Sequence, residues 1–355
     1  FIRGKDAYGD FSADTTAARY WVMGDIMHSK PVVLKYSYSD ADGSGAIDED
    51  DTGDNKSYIF VAENDGMLHA FRDADGTEAW AFIPTDLLPN LKYIHDTDYH
   101  YYFVDNSPTI YVYDADNDGN ISQADGDKAV LICGMRRGGG NSTITGGAQG
   151  SYFALNITNP EDPQFMWSID GAAAGDFPEM GQTWSLPRLT KMKIGSADKI
   201  VMVIGAGYDT SEDMRFGNTQ TFAEIDGTTI TSDASRGEED ATSSGTVASA
   251  DRYLPSGRGL YIVEIATLVN SVQSFTNSGS LIWICTNADN SDMSFAIPGV
   301  PLLIDRDNNG YIDHIYIGDT GGQLWRFNVA NTNTSDLKGT LIFTANTGSA
   351  VGRKV

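Results

Sequence analysis

Basic residues, cysteines and long apolar segments are all scarce in this chain of 355 residues. Lys and Arg together number 24 against 49 Asp and Glu, which gives a formal net charge of −25 at pH 7. A chain this acidic repels nucleic acids and anionic membrane surfaces, so we expect neither as a partner. No run is long and apolar enough to cross a bilayer, so we expect no membrane-spanning helix.

The two cysteines, Cys133 and Cys285, both lie inside apolar, strand-like segments. No partner residues near them in the sequence suggest a metal or redox site, so we predict two buried free thiols. The five histidines are scattered, without a His-Glu-x-x-His pair, and no Gly-x-Ser-x-Gly motif occurs. We therefore assign no catalytic residue and expect that the chain is not an enzyme.

The residues that are abundant point to a β-rich chain. Glycine is frequent, with 38 residues, and alternating apolar and polar residues are far commoner than helical patterns. The alternation recurs as a unit of four strands, in segments at about 24–83, 105–170, 183–286 and 296–345. This repeat predicts an all-β fold, a β-propeller of four-stranded antiparallel blades. A large β-sandwich or an irregular barrel is the alternative.

Apolar residues recur at matching places in the four units. We align one set on the third strands, Leu68, Tyr152, Leu260 and Leu324, and an aromatic set on the fourth strands, Trp80, Trp167, Trp283 and Phe343. Residues 1–23 lead into a propeller domain at 24–355. Insertions are expected at 84–104, with a short helical turn, and at 208–257, as a polar surface excursion. Either four blades close the circle alone, or further blades lie beyond this chain.

Acidic loops connect the first and second strands of units one, two and four. Calcium prefers six to eight oxygen ligands on a sharply turned loop, with carboxylates at alternate positions and glycine at the sixth. The loop that begins at Asp305 has Gly310 at this sixth position and ends its pattern at the ninth. Its predicted ligands are Asp305, Asp307, Asn309, the backbone carbonyl of Tyr311, and Asp313.

The other two loops fit a twelve-residue pattern. With Gly119 sixth, the predicted ligands of the second unit are Asp114, Asp116, Asp118, Asn120, Ser122 and Asp125. With Gly45 sixth, those of the first unit are Asp40, Asp42, Ser44, the carbonyl of Ala46, Asp48 and Asp51. A solvated Asp/Gly turn is the alternative for each loop, but three such turns at equivalent places favour calcium.

Several segments carry a family resemblance: GDIMHSKPVVL, YIFVAENDGMLHAF, EAWAFIP, GAGYD and DRDNNGYIDHIYIGDTGGQLWRF. Together they resemble the PilC/PilY family of type IV pilus tip proteins, in particular its C-terminal β-propeller domain. The resemblance runs from about Gly24 to Val355. It implies a modified seven-bladed propeller, of which four blades are recognisable in this chain.

The resemblance also implies a function. It places the protein at the pilus tip of a Gram-negative bacterium, exported through the periplasm and in contact with minor pilins. The implied roles are pilus biogenesis, adhesion to a host or abiotic surface, and twitching motility. In this family a short calcium site regulates pilus extension against retraction, and the matching positions here are those of the 305–313 loop. No Arg-Gly-Asp segment is present, so integrin binding is not expected.

Two other functions remain open from the sequence. The segment DGMLHAFRDADGTEAW also resembles the repeat of quinoprotein dehydrogenases, which are propellers that hold pyrroloquinoline quinone with a calcium ion. Those enzymes often carry adjacent cysteines at the cofactor, whereas Cys133 and Cys285 are far apart in this sequence. The other possibility is a calcium-stabilised structural module of a surface filament, without a ligand of its own.

Overall fold

A computed structural model describes most of the chain and confirms the predicted all-β class. The described residues are 5, 13–17, 23–94, 100–139, 150–171, 175–209, 221–223, 229–231, 256–270, 272–330 and 333–345. The chain divides into two compact units, one of Phe1–Thr145 with Ser151–Ile169 and the other of Gly146–Gly150 with Asp170–Val355. Within the described part no helix has the length and apolarity needed to cross a membrane.

The first unit contains two four-stranded sheets in chain order. Neighbouring strands pair antiparallel, as in the blades of a propeller. The first sheet consists of β1 (Val32–Tyr38), β2 (Asn55–Ala62), β3 (Leu68–Arg72) and β4 (Glu78–Phe82). The second consists of β5 (Thr109–Tyr113), β6 (Lys128–Gly134), β7 (Ser151–Asn156) and β8 (Gln164–Asp170).

The second unit repeats this arrangement with one elaboration. The third sheet contains β9 (Arg188–Ile194), β10 (Ala197–Gly205), β13 (Gly259–Val269), β14 (Val272–Ser274) and β15 (Leu281–Thr286). Both β14 and β15 pair with the long strand β13, β15 near its start and β14 near its end. The fourth sheet contains β16 (Leu302–Ile304), β17 (His314–Gly318), β18 (Gln323–Asn328) and β19 (Lys338–Thr344).

The insertions contain little regular structure among the described residues. A 3₁₀ helix spans Thr85–Tyr93, where the sequence predicts a short helical turn, and two others span Gln123–Asp125 and Thr334–Asp336. Most of the 208–257 insertion lies outside the described residues. Its described part includes a short hairpin of β11 (Thr221–Ala223) and β12 (Thr229–Thr231).

A separate apolar core lies in each unit, between its two sheets. In the first unit, Phe60 and Leu68 of the first sheet and Leu131 and Phe153 of the second are completely or almost completely buried in one cluster. Full burial of such side chains contributes about 1.5–3 kcal/mol each. Hydrogen bonds also join the two sheets, including one of 2.7 Å from Trp80 Nε1 to the carbonyl of Pro160.

The second core is built from the third and fourth sheets. Leu260 and Ile262 of β13 cluster with Trp325 and Phe327 of β18, and all four are completely buried. Trp283 packs edge-on against Phe327 with ring centroids 5.8 Å apart. Since each core draws on two consecutive sheets, no sheet of the described chain buries its apolar residues alone.

Strand register confirms one of the two predicted alignments. Leu68, Tyr152, Leu260 and Leu324 each lie opposite the last residue of the second strand of their sheet, which is Ala62, Gly134, Gly205 or Gly318. The third strands of all four sheets are therefore equivalent residue by residue.

The aromatic alignment on the fourth strands is wrong at Phe343. Trp80 and Trp283 lie opposite Ala70 and Ile262, two residues after the aligned leucine of the third strand. Phe343 lies opposite the aligned leucine itself, Leu324, and is 58% exposed. The β-bulge also lies at a different place, directly after Leu324 in the fourth sheet but directly after Ala70 and Ile262 in the first and third.

Both cysteines are buried and free, as predicted. Burial raises the pKa of Cys285 to about 11 and raises the pKa of Cys133 well above its usual range. Since the thiolate is the reactive species, both side chains are chemically inert in the folded chain.

We expect neither Cys133 nor Cys285 to react with a thiol reagent at neutral pH while the chain is folded. In denaturant both thiols should react at the rate of an exposed cysteine. A colorimetric thiol assay with and without guanidinium measures this difference. Fast labelling of the native chain would contradict the described burial.

Candidate metal sites

The three acidic loops share one backbone conformation. The fourth residue of each loop has a left-handed φ of 73°, 59° or 58°, and the sixth has a φ of 91°, 82° or 88°. These residues are Gly43, Asn117 and Asn308 at the fourth position and Gly45, Gly119 and Gly310 at the sixth. A side chain at the sixth position would meet no neighbouring atom within 4 Å, so backbone conformation is what favours glycine there.

The first aspartate of each loop organises this turn. In the 305–313 loop, the N–H groups of Gly310 and Asn309 donate to the two carboxylate oxygens of Asp305, at 2.7 and 3.2 Å. The glycine N–H donates to the same oxygen of the first aspartate in the other loops, at 2.8 Å in Asp40 and 2.9 Å in Asp114. The backbone therefore holds the first carboxylate of each loop towards the centre of its turn.

A second shared feature is an aspartate directly before the second strand of the sheet. Asp54, Asp127 and Asp313 immediately precede β2, β6 and β17. Each accepts a hydrogen bond of 2.6–2.7 Å from the N–H of the second loop residue. In the two longer loops its other oxygen also accepts from the N–H of the ninth residue, at 3.1 and 2.8 Å. We call these three residues the closing aspartates, because they join the end of each loop to its beginning.

Each loop brings three carboxylates together. The groups are Asp305, Asp307 and Asp313; Asp114, Asp116 and Asp118; and Asp40, Asp42 and Asp54. Each residue of a group offers an oxygen that lies within 4.8 Å of those of the other two. Because calcium–oxygen bonds measure about 2.3–2.6 Å, oxygens on opposite sides of one ion lie about 4.6–5.2 Å apart. The three groups therefore have donor atoms and a spacing that could hold a metal ion.

The electrostatics of these groups differ in detail. Desolvation acts to raise the pKa of Asp305, but the hydrogen bonds from Gly310 and Asn309 outweigh it and lower that pKa. Desolvation and the adjacent charge of Asp118 raise the pKa of Asp116. The 114–125 loop thus contains carboxylates that repel one another, and a cation would relieve this repulsion.

The remaining predicted ligands of the 305–313 loop lie beside its carboxylate group. The Asn309 amide donates to Asp307 at 3.0 Å, and its oxygen accepts from the N–H of Tyr311 at 2.8 Å. The side chain of Tyr311 extends away from the loop, and its hydroxyl donates to Asp198 at 2.7 Å. This leaves the backbone carbonyl as the predicted calcium ligand of Tyr311.

Several predicted ligands of the longer loops have other roles. Ser122 caps the 3₁₀ helix Gln123–Asp125 by accepting from Ala124 N–H at 3.2 Å, and Asp125 is exposed in that helix, outside the carboxylate group. The Asn120 amide donates to Asp118 at 3.0 Å.

In the first loop, the Ser44 hydroxyl donates to the carbonyl of Ala46 at 3.0 Å. Asp48 accepts from Asp50 N–H at 3.0 Å and Asp51 from Gly53 N–H at 2.6 Å, so both carboxylates are engaged in local turns. The structure brings Asp54 to Asp40 and Asp42 instead.

The sequence analysis missed Asp54 and Asp127, the closing aspartates of the two longer loops. Both are buried, with 1% and 5% of their surface exposed. A twelve-residue template excludes them because they lie two or three residues beyond its end. The signal that identifies them is their place directly before the second strand, which they share with Asp313.

Two of the loops also contact the preceding sheet of their own unit. In both, the eighth residue donates its N–H to a carbonyl of that sheet's first strand: Ile121 to Tyr36 at 2.8 Å, and Ile312 to Lys191 at 3.2 Å. The ammonium group of Lys191 also lies 4.6 Å above the ring of Tyr311. The acidic loops therefore help to join neighbouring sheets.

We expect Asp54→Ala to weaken calcium binding at the first loop more than Asp51→Ala, because only Asp54 joins the carboxylate group. In the second loop, Asp127→Ala should likewise weaken calcium binding more than Asp125→Ala does, since Asp127 holds the loop closed. Calcium titration calorimetry on the four variants measures both pairs. Equal losses within each pair would contradict the role of the closing aspartates.

The chain is similar in sequence to several known proteins. No family model matches the chain. The type IV pilus biogenesis factor PilY1 of Pseudomonas aeruginosa (strain UCBPP-PA14) is 27% identical over 95% of this chain and 23% of its own length. A PilY1 homolog of Xylella fastidiosa is 25% identical over 88% of this chain and 18% of its own length.

Among solved structures, the C-terminal domain of Pseudomonas aeruginosa PilY1 is similar over 77% of this chain and 38% of its own, at 22% identity and a TM-score of 0.43. A quinohemoprotein alcohol dehydrogenase from Comamonas testosteroni is similar over 84% of this chain and 36% of its own, at 13% identity and a TM-score of 0.38. Such scores are too low to carry a function from either protein to this one.

The chain spans less than a quarter of the length of the two curated relatives. The similarity nevertheless covers almost all of this chain. It confirms the resemblance read from the sequence, and the chain is a homologue of the PilY1 proteins of the PilC/PilY family.

Proposed function

We propose that this chain is a calcium-binding β-propeller domain of a type IV pilus biogenesis factor, without enzymatic activity. The observation that carries the proposal is the repetition of one loop in three sheets. Each copy has the same two left-handed positions, the same first carboxylate and the same closing aspartate. A solvated turn has no need to gather three carboxylates, so their recurrence supports a shared ligand.

Calcium suits these loops better than the other common cations. The donors are carboxylate, amide and backbone carbonyl oxygens, without nitrogen or sulfur, which favours a hard cation. The carboxylate groups lie on irregular, largely exposed loops, and calcium tolerates irregular coordination, whereas magnesium requires a near-octahedral site. Each bound ion would also offset part of the net charge of −25.

The proposed role of the ion is mechanical. In the first loop and in the 305–313 loop, a bound cation would fix the first carboxylate and the closing aspartate to one point, and in the second loop it would fix Asp114, Asp116 and Asp118. In each case it would hold the loop in its present form. The eighth residue of the loop would then keep its hydrogen bond to the preceding sheet in two of the three cases. Calcium would thereby strengthen the packing of sheet against sheet within a unit.

The cellular part of the proposal rests on the family. We propose that the parent protein lies at the pilus tip, contacts minor pilins, and acts in the balance of pilus extension and retraction, in surface adhesion and in twitching motility. A domain in that position experiences tension, and metal-fixed loops between sheets would resist it. The calcium concentration outside the cell would then determine how strongly the domain resists tension.

Calcium should raise the thermal midpoint of the chain, because a ligand that binds only the folded state stabilises it by mass action. At a calcium concentration of about 100 times the dissociation constant, each site contributes about 2.7 kcal/mol. The measurement is a melt followed by circular dichroism, with calcium and with a chelator. An unchanged midpoint would rule out the calcium sites.

In the bacterium that encodes this chain, Asp305→Ala combined with Asp313→Ala should abolish the calcium dependence of twitching motility. Asp51→Ala is the matched control, since it removes an acidic loop residue that joins no carboxylate group. Pilus number on the cell surface and twitching zones are measured at low and high calcium. Wild-type behaviour of the double variant, at normal protein level, would refute the proposed regulatory role.

A further inference from the structure

A fourth polar cluster lies inside the first unit, away from the acidic loops. It comprises Glu63 directly after β2, Asp65 in the turn that follows, and His69 as the second residue of β3. The three residues have ligand atoms within 4.8 Å of one another, and at most 5% of any of them is exposed. The acidic loops are largely exposed, so this cluster differs from them in both burial and composition.

The fourth sheet has an equivalent acid, but a tryptophan takes the place of the histidine. There Asp319 directly follows β17 and accepts a hydrogen bond of 2.9 Å from the indole N–H of Trp325. His69 matches Trp325 in register, since each lies one residue beyond the leucine that faces the end of the second strand. Glu63 then matches Asp319, but its nearer oxygen lies 3.8 Å from His69 Nε2, too far for a hydrogen bond.

Glu63 is left with an unsatisfied oxygen as a result. Its Oε2 accepts from Gly24 N–H at 3.0 Å, whereas its Oε1 has no hydrogen-bond partner among the described residues. The side chain is completely buried. A buried carboxylate oxygen without a partner destabilises the folded chain, so this arrangement calls for a ligand.

The surroundings of His69 match those of metal-binding histidines. Its Nδ1 lies 2.6 Å from the carboxylate of Glu78, the first residue of β4. Such a carboxylate behind the ring is the usual companion of a histidine that binds a metal through its other nitrogen. That other nitrogen, Nε2, faces Asp65 at 3.0 Å and Glu63 at 3.8 Å.

We propose that Glu63, Asp65 and His69 form a binding site for a divalent transition-metal ion of the zinc class, held in place by Glu78. Atoms that bind one tetrahedral zinc ion at about 2.0–2.1 Å lie about 3.4 Å apart. The distances of 3.0 and 3.8 Å from His69 Nε2 lie on either side of that value. An imidazole nitrogen among the donors distinguishes this ion from calcium, which prefers oxygen ligands.

The balance of charge also favours a cation. Three carboxylates, those of Glu63, Asp65 and Glu78, surround a single imidazole ring. A divalent ion would replace the proton on His69 Nε2, bind a carboxylate oxygen of Glu63 and neutralise the excess charge.

The test is zinc binding to the untagged 355-residue chain in saturating calcium, which occupies the acidic loops. A chromophoric chelator in competition with the chain measures the affinity for Zn²⁺, and Co²⁺ substitution reports nitrogen ligation through its visible absorption. We expect a single tight Zn²⁺ site and Co²⁺ bands of a low-coordinate site. Absence of tight zinc binding by the wild-type chain would overturn the proposal.

Substitutions test whether these residues bind the zinc ion. His69→Gln should abolish the Zn²⁺ site, and Glu78→Gln, at a half-exposed position, should weaken it about 10–100-fold while leaving the fold intact. Asp319→Asn is the matched control, because it alters the equivalent acid of the fourth sheet and should leave zinc affinity unchanged. Wild-type zinc affinity in both His69→Gln and Glu78→Gln, with melting curves that show folded chains, would place the ion elsewhere.

Discussion

The acidic loops depend on one interaction, the hydrogen bond between a closing aspartate and the backbone near the start of its own loop. This bond brings the first residue of the second strand next to the last residues of the first strand, although up to sixteen residues separate β1 from β2. The closing aspartate of that loop is also buried, because the two strands meet around it. The left-handed residues and most of the carboxylates of the loop lie between the two ends that this bond joins.

The same interaction links metal binding to the packing of sheets. A loop held at both ends can present its eighth residue at a fixed place, and in two loops that residue donates to the first strand of the preceding sheet. Ile121 and Ile312 also pack their side chains against the two apolar cores. Energy gained by a cation at the loop would therefore not be confined to the surface. It would be transmitted through one residue to the interface between sheets.

Much of this architecture could be predicted from the sequence, because it follows local rules. Alternation of apolar and polar residues located the four sheets, and the Asp-x-Asp spacing with glycine at the sixth position located the three loops. The misplaced Phe343 shows where such rules stop. Which residue of the fourth strand faces Leu324 depends on the length of the connection from the third strand and on the place of the β-bulge, and composition reveals neither, so alignment along the fourth strand failed there.

The missed ligands have a related explanation. The twelve-residue template takes its last acid from a helix that follows the loop, whereas here a strand follows and the residue directly before it is Asp54 or Asp127. Both lie beyond the template by two or three residues, so counting alone could not find them. They become visible only when the loops are aligned on the strand that they precede, which places all three closing aspartates in one position.

His69 was discounted in the sequence because no second histidine accompanies it at a metal-binding spacing. Its partners come from a turn and from the next strand, so only the pairing of β2 with β3 and of β3 with β4 brings them together. Trp325 shows what the equivalent position of the fourth sheet requires for the fold alone. An indole N–H satisfies the acid at this position, and a propeller sheet needs nothing more. An imidazole leaves that acid unsatisfied and adds two further carboxylates, a costly arrangement unless an ion occupies it.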